Sequence, residues 1–273
     1  MPVLVGTSGW QYRDWRGVLY PPGVPQRAWL EYYATRYATV ENNGTFYRLA
    51  RPQTFEDWRR RTPAGFVMAV KASRYLTHVR RLRDPAEPVE RLLGAAAGLG
   101  DRLGPVLLQL PPDFRADPGV LDRCLAEFAR VAAARQLRLR VAVELRHESW
   151  WTEEVRELLT RHGATLCWAD RLGHSLTPLW RTADWGYLRL HEGAEGADGA
   201  GTALPWPRYR EQALTTWVER LTGTWPADAD IFVYFNNDQG GAAVHDADAL
   251  TSIARQAGRA TLVYDPDRER AWS

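Results

Sequence analysis

The sequence predicts an α/β protein: a TIM-like (β/α)8 barrel in a single domain spanning residues 1–273, with an irregular sixth unit and long loops on the carboxyl-end face. Three observations carry this expectation. Short apolar, strand-like runs alternate with helix-period segments from one end of the chain to the other. Eight such runs fit into the 273 residues, which is what a (β/α)8 chain requires. No glycine-rich dinucleotide fingerprint follows the first run, so the doubly wound open sheet is the weaker alternative.

The first strand is expected over 3–7, followed by an aromatic loop and a helix over 26–37 that sets Trp29, Leu30 and Tyr33 on one face. A strand over 39–43 and a helix over 54–61 come next, then a strand over 66–71, a basic loop, and a helix over 89–103 for which Asp84, Pro85 and Glu87 look like the cap. The fourth strand, 106–110, stops at Pro111 and Pro112. Asp117 and Pro118 then open a helix whose stripe is Val120, Leu121, Cys124, Leu125, Phe128 and Val131. The fifth strand runs from Val141 into Glu144-Leu145-Arg146. Thr152 caps the following helix, with Glu153 and Glu154 in its first turn and Gly163 past its end. The sixth strand spans 164–169, and 170–184 is too short and broken for a full helix. The seventh strand is 187–191, and a glycine-rich loop leads to a helix with Tyr209, Ala213, Leu214, Trp217 and Leu221. The eighth, 231–235, precedes a helix with Leu250, Ile253 and Ala254 that stops at Gly258.

Composition narrows the function classes. With 45% hydrophobic and 25% charged residues this is an ordinary globular composition, and no apolar run reaches the length of a membrane span. The opening Met1-Pro2-Val3-Leu4-Val5-Gly6 has neither a basic region nor a cleavage signal, so the expected compartment is the cytoplasm. Cys124 and Cys167 match no metal spacing or disulfide framework and read as buried thiols. A net charge of +2 is too small to predict nucleic-acid or membrane binding from the global field.

Side chains alternate along a strand, and ligands of parallel α/β folds sit outside the strands' carboxyl ends. Applied to each strand, the rule collects Ser8, Glu41, Asn43, Lys71, Gln109, Glu144, Arg146, Asp170, Arg189, His191, Asn236 and Asp238 near one rim. Any one of them has a bland reading as a solvated strand end, and Glu144 with Arg146 reads equally as a tethering ion pair. Together they suggest an acid/base site in which Glu144, Glu41, His191 and Lys71 are the catalytic candidates. Arg146, Arg189, Asn43, Gln109, Asn236, Asn237, Asp238, Trp10 and Tyr47 are then the substrate-binding candidates. Glu41, Glu144, Asp170 and His191 form an alternative metal set, but Lys71, Arg146 and Arg189 would crowd a cation, and no cofactor is expected.

The loops add anion-binding character. Residues 71–83 carry Lys71, Arg74, Arg80, Arg81 and Arg83, and the turn from Asn236 to Gly241 opens a helix whose N–H groups are suited to a phosphate. Polar-turn and solvated-loop readings stay open for both. Trp10, Tyr12, Trp15 and Tyr20 are read as mostly packing the first loop, and Gly193, Gly196, Gly199 and Gly201 suit the seventh loop to a lid, or equally to a disordered insertion.

Several runs resemble the YecE-like family, also called domain of unknown function 72, over nearly the whole chain. They are Gly6-Thr7-Ser8-Gly9-Trp10, Val40-Glu41 with Asn43 and Thr45-Phe46-Tyr47, Val70-Lys71 with Thr77-His78, Gln109-Leu110-Pro111-Pro112, Val143-Glu144 with Arg146 and Ser149-Trp150, Arg189-Leu190-His191, and Tyr234-Phe235-Asn236-Asn237-Asp238. Asn42 and Gly44 depart from the family pattern around Asn43, and so does Glu192 after His191. The resemblance implies a TIM-barrel-like fold and no established reaction; kinship with xylose-isomerase-like barrels is analogy only. Two function classes follow. The favoured one is an enzyme acting on a small anionic or polyhydroxylated ligand, phosphorylated or sugar-like. The other is a non-catalytic ligand- or nucleic-acid-binding protein, with a metal-dependent phosphodiesterase as a third variant. Nucleic acid is the less favoured partner, and no membrane is expected.

Overall fold

The computed structural model describes residues 3–193 and 208–261. Gly196, Gly199 and Gly201 of the expected lid lie outside them. The chain divides into two compact units, Met1–Val40 with Trp168–Leu176 and Trp185–Ser273, and Glu41–Cys167 with Thr177–Asp184.

Among the described residues, ten strands form two five-stranded sheets. β1 (Val3–Thr7), β7 (Trp168–Arg171), β8 (His174–Ser175), β9 (Gly186–Leu190) and β10 (Ile231–Phe235) make one, in the order β1-β10-β9-β7-β8. β2 (Thr39–Asn42), β3 (Val67–Lys71), β4 (Leu103–Gln109), β5 (Val141–Glu144) and β6 (Thr165–Leu166) make the other, in chain order. The strand pairs whose register is defined are parallel, except for the β7–β8 hairpin. A doubly wound sheet reverses its strand order at a switch point. Among the described residues the parallel strands of neither sheet do so, since the turn-back at β7 is the antiparallel β8 hairpin, and β1 pairs with β10, from Val3 opposite Ile231 to Thr7 opposite Phe235.

The helices are α1 (Trp29–Arg36), the single turn α2 (Gly44–Tyr47), α3 (Pro52–Arg60), α4 (Ala86–Ala96), α5 (Pro118–Ala134), α6 (Glu153–Arg161), α7 (Glu211–Thr224) and α8 (Ala242–Gln256). Among the described residues, none is long and apolar enough to cross a membrane. α5 forms as its sequence dictates. Asp117 Oδ1 accepts the Val120 N–H at 3.1 Å, Pro118 fills the first turn, and all six stripe residues are buried. Each such side chain contributes roughly 1.5–3 kcal/mol when fully buried. Thr152 caps α6 through Val155 N at 3.3 Å, and Gly163 follows with φ +59°. Both cysteines are buried, and neither forms a disulfide.

Three local expectations change. α4 starts at Ala86, with Pro85 as a cap that makes no side-chain bond, and Asp84 pairs instead with Arg80 at 3.0 Å. The helix gives way to a 3-10 stretch kinked at Gly100, so β4 begins at Leu103, within the span read as helix. The sixth strand splits at Cys167: Thr165 and Leu166 pair with β5, whereas Trp168 to Asp170 pair with β9. The irregular sixth unit contains a strand hairpin, turned by Leu172 (φ +56°) and Gly173 (φ +78°).

The Tyr33 hydroxyl, reaching from α1, accepts the Thr7 N–H at 3.0 Å and donates to the Thr39 carbonyl at 3.0 Å. A side chain thus satisfies backbone groups of β1 and β2, which belong to different sheets, and burial raises the phenol far above its ordinary pKa. Gly6 is required here, because a Cβ at that position would strike the Thr39 carbonyl.

Candidate functional site

In the unit Glu41–Cys167, strand register brings four of the expected side chains to one sheet face. Lys71 lies opposite Leu107, Leu107 opposite Ala142, and Gln109 opposite Glu144. Partners in register project to the same side, so Lys71, Gln109 and Glu144 share a face. Asn42 touches Met68 on the other face, with Nδ2 3.7 Å from Sδ, so its neighbour Glu41 projects with Lys71. Glu41 and Glu144 are 0% exposed, Gln109 7% and Lys71 9%. Charged groups are almost never buried to this degree unless they are paired.

Glu144 Oε1 accepts Arg146 Nε at 2.7 Å, and Nη2 lies at 2.7 Å as well. The Arg146 side chain keeps 28% of its surface, so the pair joins a buried carboxylate to a cation that reaches solvent. Lys71 is held through its backbone, whose carbonyl accepts Thr45 Oγ1 at 2.7 Å. Its ammonium sits 4.4 Å from the Phe46 ring centroid, a cation–π contact. The unusual Asn42 is accommodated by a local turn, its Oδ1 accepting Gly44 N at 3.0 Å, and the half-buried Asn43 begins α2.

His78 joins this group although strand alternation does not reach it. Residues Tyr75–Val79 form a π-helical turn that buries Leu76 and Thr77 and stacks His78 edge-on against Phe46, with centroids 5.0 Å apart. Burial pushes the imidazole below its ordinary 6.5, and the positive charges of Lys71, Arg74 and Arg146 push it further, against a weak opposing pull from Asp113. A neutral imidazole beside a lysine and an arginine is a group able to accept a proton. The signals in the sequence were a histidine within a basic stretch and the Thr77-His78 pair among the runs that resemble the family.

The basic loop is more engaged than expected. Arg80 pairs with Asp84 at 3.0 Å and Arg81 with Asp113 at 2.5 Å, while Arg74 and Arg83 stay exposed. Arg81, Leu82 and Asp84 adopt φ of 48°, 62° and 46°, a left-handed run of non-glycine residues at a cost of order 1–3 kcal/mol each.

The other unit has its own strand-end set. Arg189, 1% exposed, pairs in register with Tyr234 and Ala169. By alternation His191 and Asn236 continue that face, Asn236 Nδ2 lies 3.2 Å from His191 Nδ1, and Asp238 opens the 3-10 turn that follows. Burial first, then the nearby Asp14 carboxylate, push Asp238 up to about 6, against the opposing effects of Tyr12 and Arg189. Glu192, unusual for the family pattern, accepts Arg171 Nε at 2.8 Å. Ser8 is fully buried, and its carbonyl accepts the Tyr12 hydroxyl at 2.6 Å.

Several candidates are corrected. Asp170 lies in register with Leu190, on the face opposite Arg189, and its carboxylate accepts Trp217 Nε1 at 3.2 Å and Gly173 N at 3.2 Å. Asn237 likewise turns to α8, with Nδ2 donating to Asp246 Oδ2 at 2.8 Å. Both side chains are claimed by packing against helical segments. The alternative metal set does not assemble: among the described residues, no group of three or more His, Cys, Asp or Glu is placed to hold an ion. Trp10 is only 5% exposed, which leaves little ring surface for stacking, and Trp15 and Tyr20 are buried, as loop packing predicts. Tyr47 is the reverse, 82% exposed. At the turn expected to hold phosphate, Asp14 Oδ2 already accepts Gly240 N at 2.7 Å, so an internal carboxylate takes a place an anion would use.

The comparisons agree with the resemblance. The family model described as "Protein of unknown function DUF72" matches residues 4–270. YunF of Bacillus subtilis is 25% identical over 280 aligned residues, covering 92% of this chain and 94% of YunF. YecE of Escherichia coli K12 is 27% identical over 166 residues, 59% of this chain and 54% of YecE. Among solved structures, a DUF72 family protein of Thermotoga maritima superposes with a TM-score of 0.74 at 28% identity, covering 95% of this chain and 100% of that one. A DUF72 family protein of Enterococcus faecalis gives 0.72 at 18% identity, over 96% of this chain and 97% of that one. With strand-end residues such as Val143-Glu144, Arg146 and Tyr234-Phe235-Asn236-Asn237-Asp238 inside the matched span, the chain belongs to the DUF72, or YecE-like, family.

Proposed function

We infer that the buried cluster of Glu41, Lys71, Gln109, Glu144 and Arg146, joined by His78, is an acid/base site for a small anionic or polyhydroxylated ligand, phosphorylated or sugar-like. One observation carries this reading: a fully buried glutamate at a strand's carboxyl end is bonded to an arginine that reaches solvent, on a face shared with a second buried glutamate and a lysine. In this reading Arg146 and Lys71 hold the ligand's negative charge, or charge developing on its oxygen. Glu144 moves a proton to or from the ligand, Glu41 or the neutral His78 serves as the second proton-handling group, and Gln109 orients the ligand by hydrogen bonding. The parallel pairing of β2 to β6 in chain order supports, within the same proposal, the single-domain (β/α)8 class that the sequence predicts. Arg189, His191, Asn236 and Asp238 are a second polar set on which the assignment does not depend.

The test is a substrate screen of sugar phosphates and polyhydroxylated acids with wild-type protein, Glu144→Gln and Arg146→Ala. The reading requires a turned-over compound whose conversion Glu144→Gln abolishes while its binding survives. Conversion at the wild-type rate in Glu144→Gln would overturn it.

A further inference from the structure

Away from the Glu144 cluster, the unit Glu41–Cys167 carries a cavity of ≈ 330 Å³ between the end of α2, the π-helical turn and the start of α4. Its size falls in the lower part of the roughly 300–1,000 Å³ range of small-molecule sites. Phe46, Pro88 and Leu92 give it an apolar, buried floor. Two aromatic rings at its rim are unusually open: Tyr47 is 82% and Tyr75 47% exposed. Large exposed rings around a concavity mark a binding surface more often than a structural need.

The polar lining is selective. Arg74 and Arg91 bring two guanidinium groups, the side-chain type best matched to phosphate. Glu87 uses Oε1 to accept Arg91 Nη1 at 2.9 Å, which braces that guanidinium on an adjacent helical turn. Its second oxygen is an acceptor of the kind that ribose hydroxyls engage. An aromatic platform, two phosphate-type cations and one carboxylate within this volume match the three parts of one nucleotide.

We propose that this cavity is a binding site for a nucleoside monophosphate, with the base against Tyr47 or Tyr75, the ribose at Glu87 and the phosphate at Arg74 and Arg91. The site stands apart from the acid/base proposal. Phe46 is common to both, with its ring against Lys71, but neither Glu144 nor Arg146 lines the cavity.

Isothermal titration of the full chain with adenosine 5′-monophosphate, adenosine and inorganic phosphate tests it. Saturable binding of one nucleotide is expected, with adenosine or phosphate alone at least about tenfold weaker, since stacking and ionic contacts then no longer add. Tyr47→Ala and Arg74→Ala should each weaken the nucleotide by about tenfold without shifting the unfolding midpoint, because both side chains are exposed. Glu144→Gln should leave binding unchanged. Absence of saturable binding, equal binding of phosphate alone, or indifference to Tyr47→Ala and Arg74→Ala would each overturn the site. Loss of binding in Glu144→Gln would overturn it too, by moving the nucleotide to the strand-end cluster.

Discussion

Arg146 reaches back across one residue to place Nε 2.7 Å from Oε1 of Glu144, so that a carboxylate with no exposed surface is bonded to an arginine whose side chain is 28% exposed. The asymmetry separates the two substitutions. Arg146→Ala removes a charged partner from a buried carboxylate and should cost about 3 kcal/mol. Glu144→Gln leaves an arginine that can turn to water and should cost less, while lowering turnover of the screened substrate by about 10²-fold or more. Urea midpoints beside single-substrate kinetics check this; a larger stability loss for Glu144→Gln would reduce the pair to a structural tether.

His78 makes the protein sensitive to acid. Its folded pKa is lowered, so its contribution to stability is present above its ordinary 6.5 and is lost as pH falls below that value through the folded pKa. His78→Gln should therefore flatten the decline in unfolding midpoint on the acid side of about pH 6.5. The same NMR titration that follows the imidazole should show the Lys71→Met variant restoring part of its pKa, since Lys71 is one of the charges holding it down.

Asp238 acts in the opposite sense. Its folded pKa is raised to about 6 from 3.8, so its contribution is complete below 3.8 and disappears as pH rises through about 6. Asp238→Asn removes a carboxylate whose ionisation is opposed by burial and by Asp14. The variant should gain on wild type between pH 5 and pH 8, by an amount read from denaturant midpoints at the two values.

Tyr33→Phe deletes the hydroxyl shared by the Thr7 N–H and the Thr39 carbonyl. Two buried backbone groups lose a partner, and the expected cost is about 1–3 kcal/mol. A midpoint within about 0.5 kcal/mol of wild type would show that another donor and acceptor, or water, can take its place.

Most strand positions, the caps of α5 and α6 and the alternation within each strand were legible in the sequence, because they depend on local chemistry: apolar runs, Asp117 and Thr152 at helix starts, Gly163 at a helix end. The same locality made Glu144 and Arg146 readable as one pair, two residues apart at the end of one strand. Tertiary structure decided what each face meets. Alternation shows that Asp170 and Ala169 point apart, but the register with Leu190 and Arg189 sends Asp170 toward Trp217, and packing sends Asn237 toward Asp246 in the same way. The split of the sixth strand, the π-helical turn that brings His78 against Phe46, and the placing of Asp14 on Gly240 all join residues distant in sequence. No short-range pattern encodes them, since which partner claims a polar group is settled only when separate elements pack and each buried donor and acceptor must be satisfied.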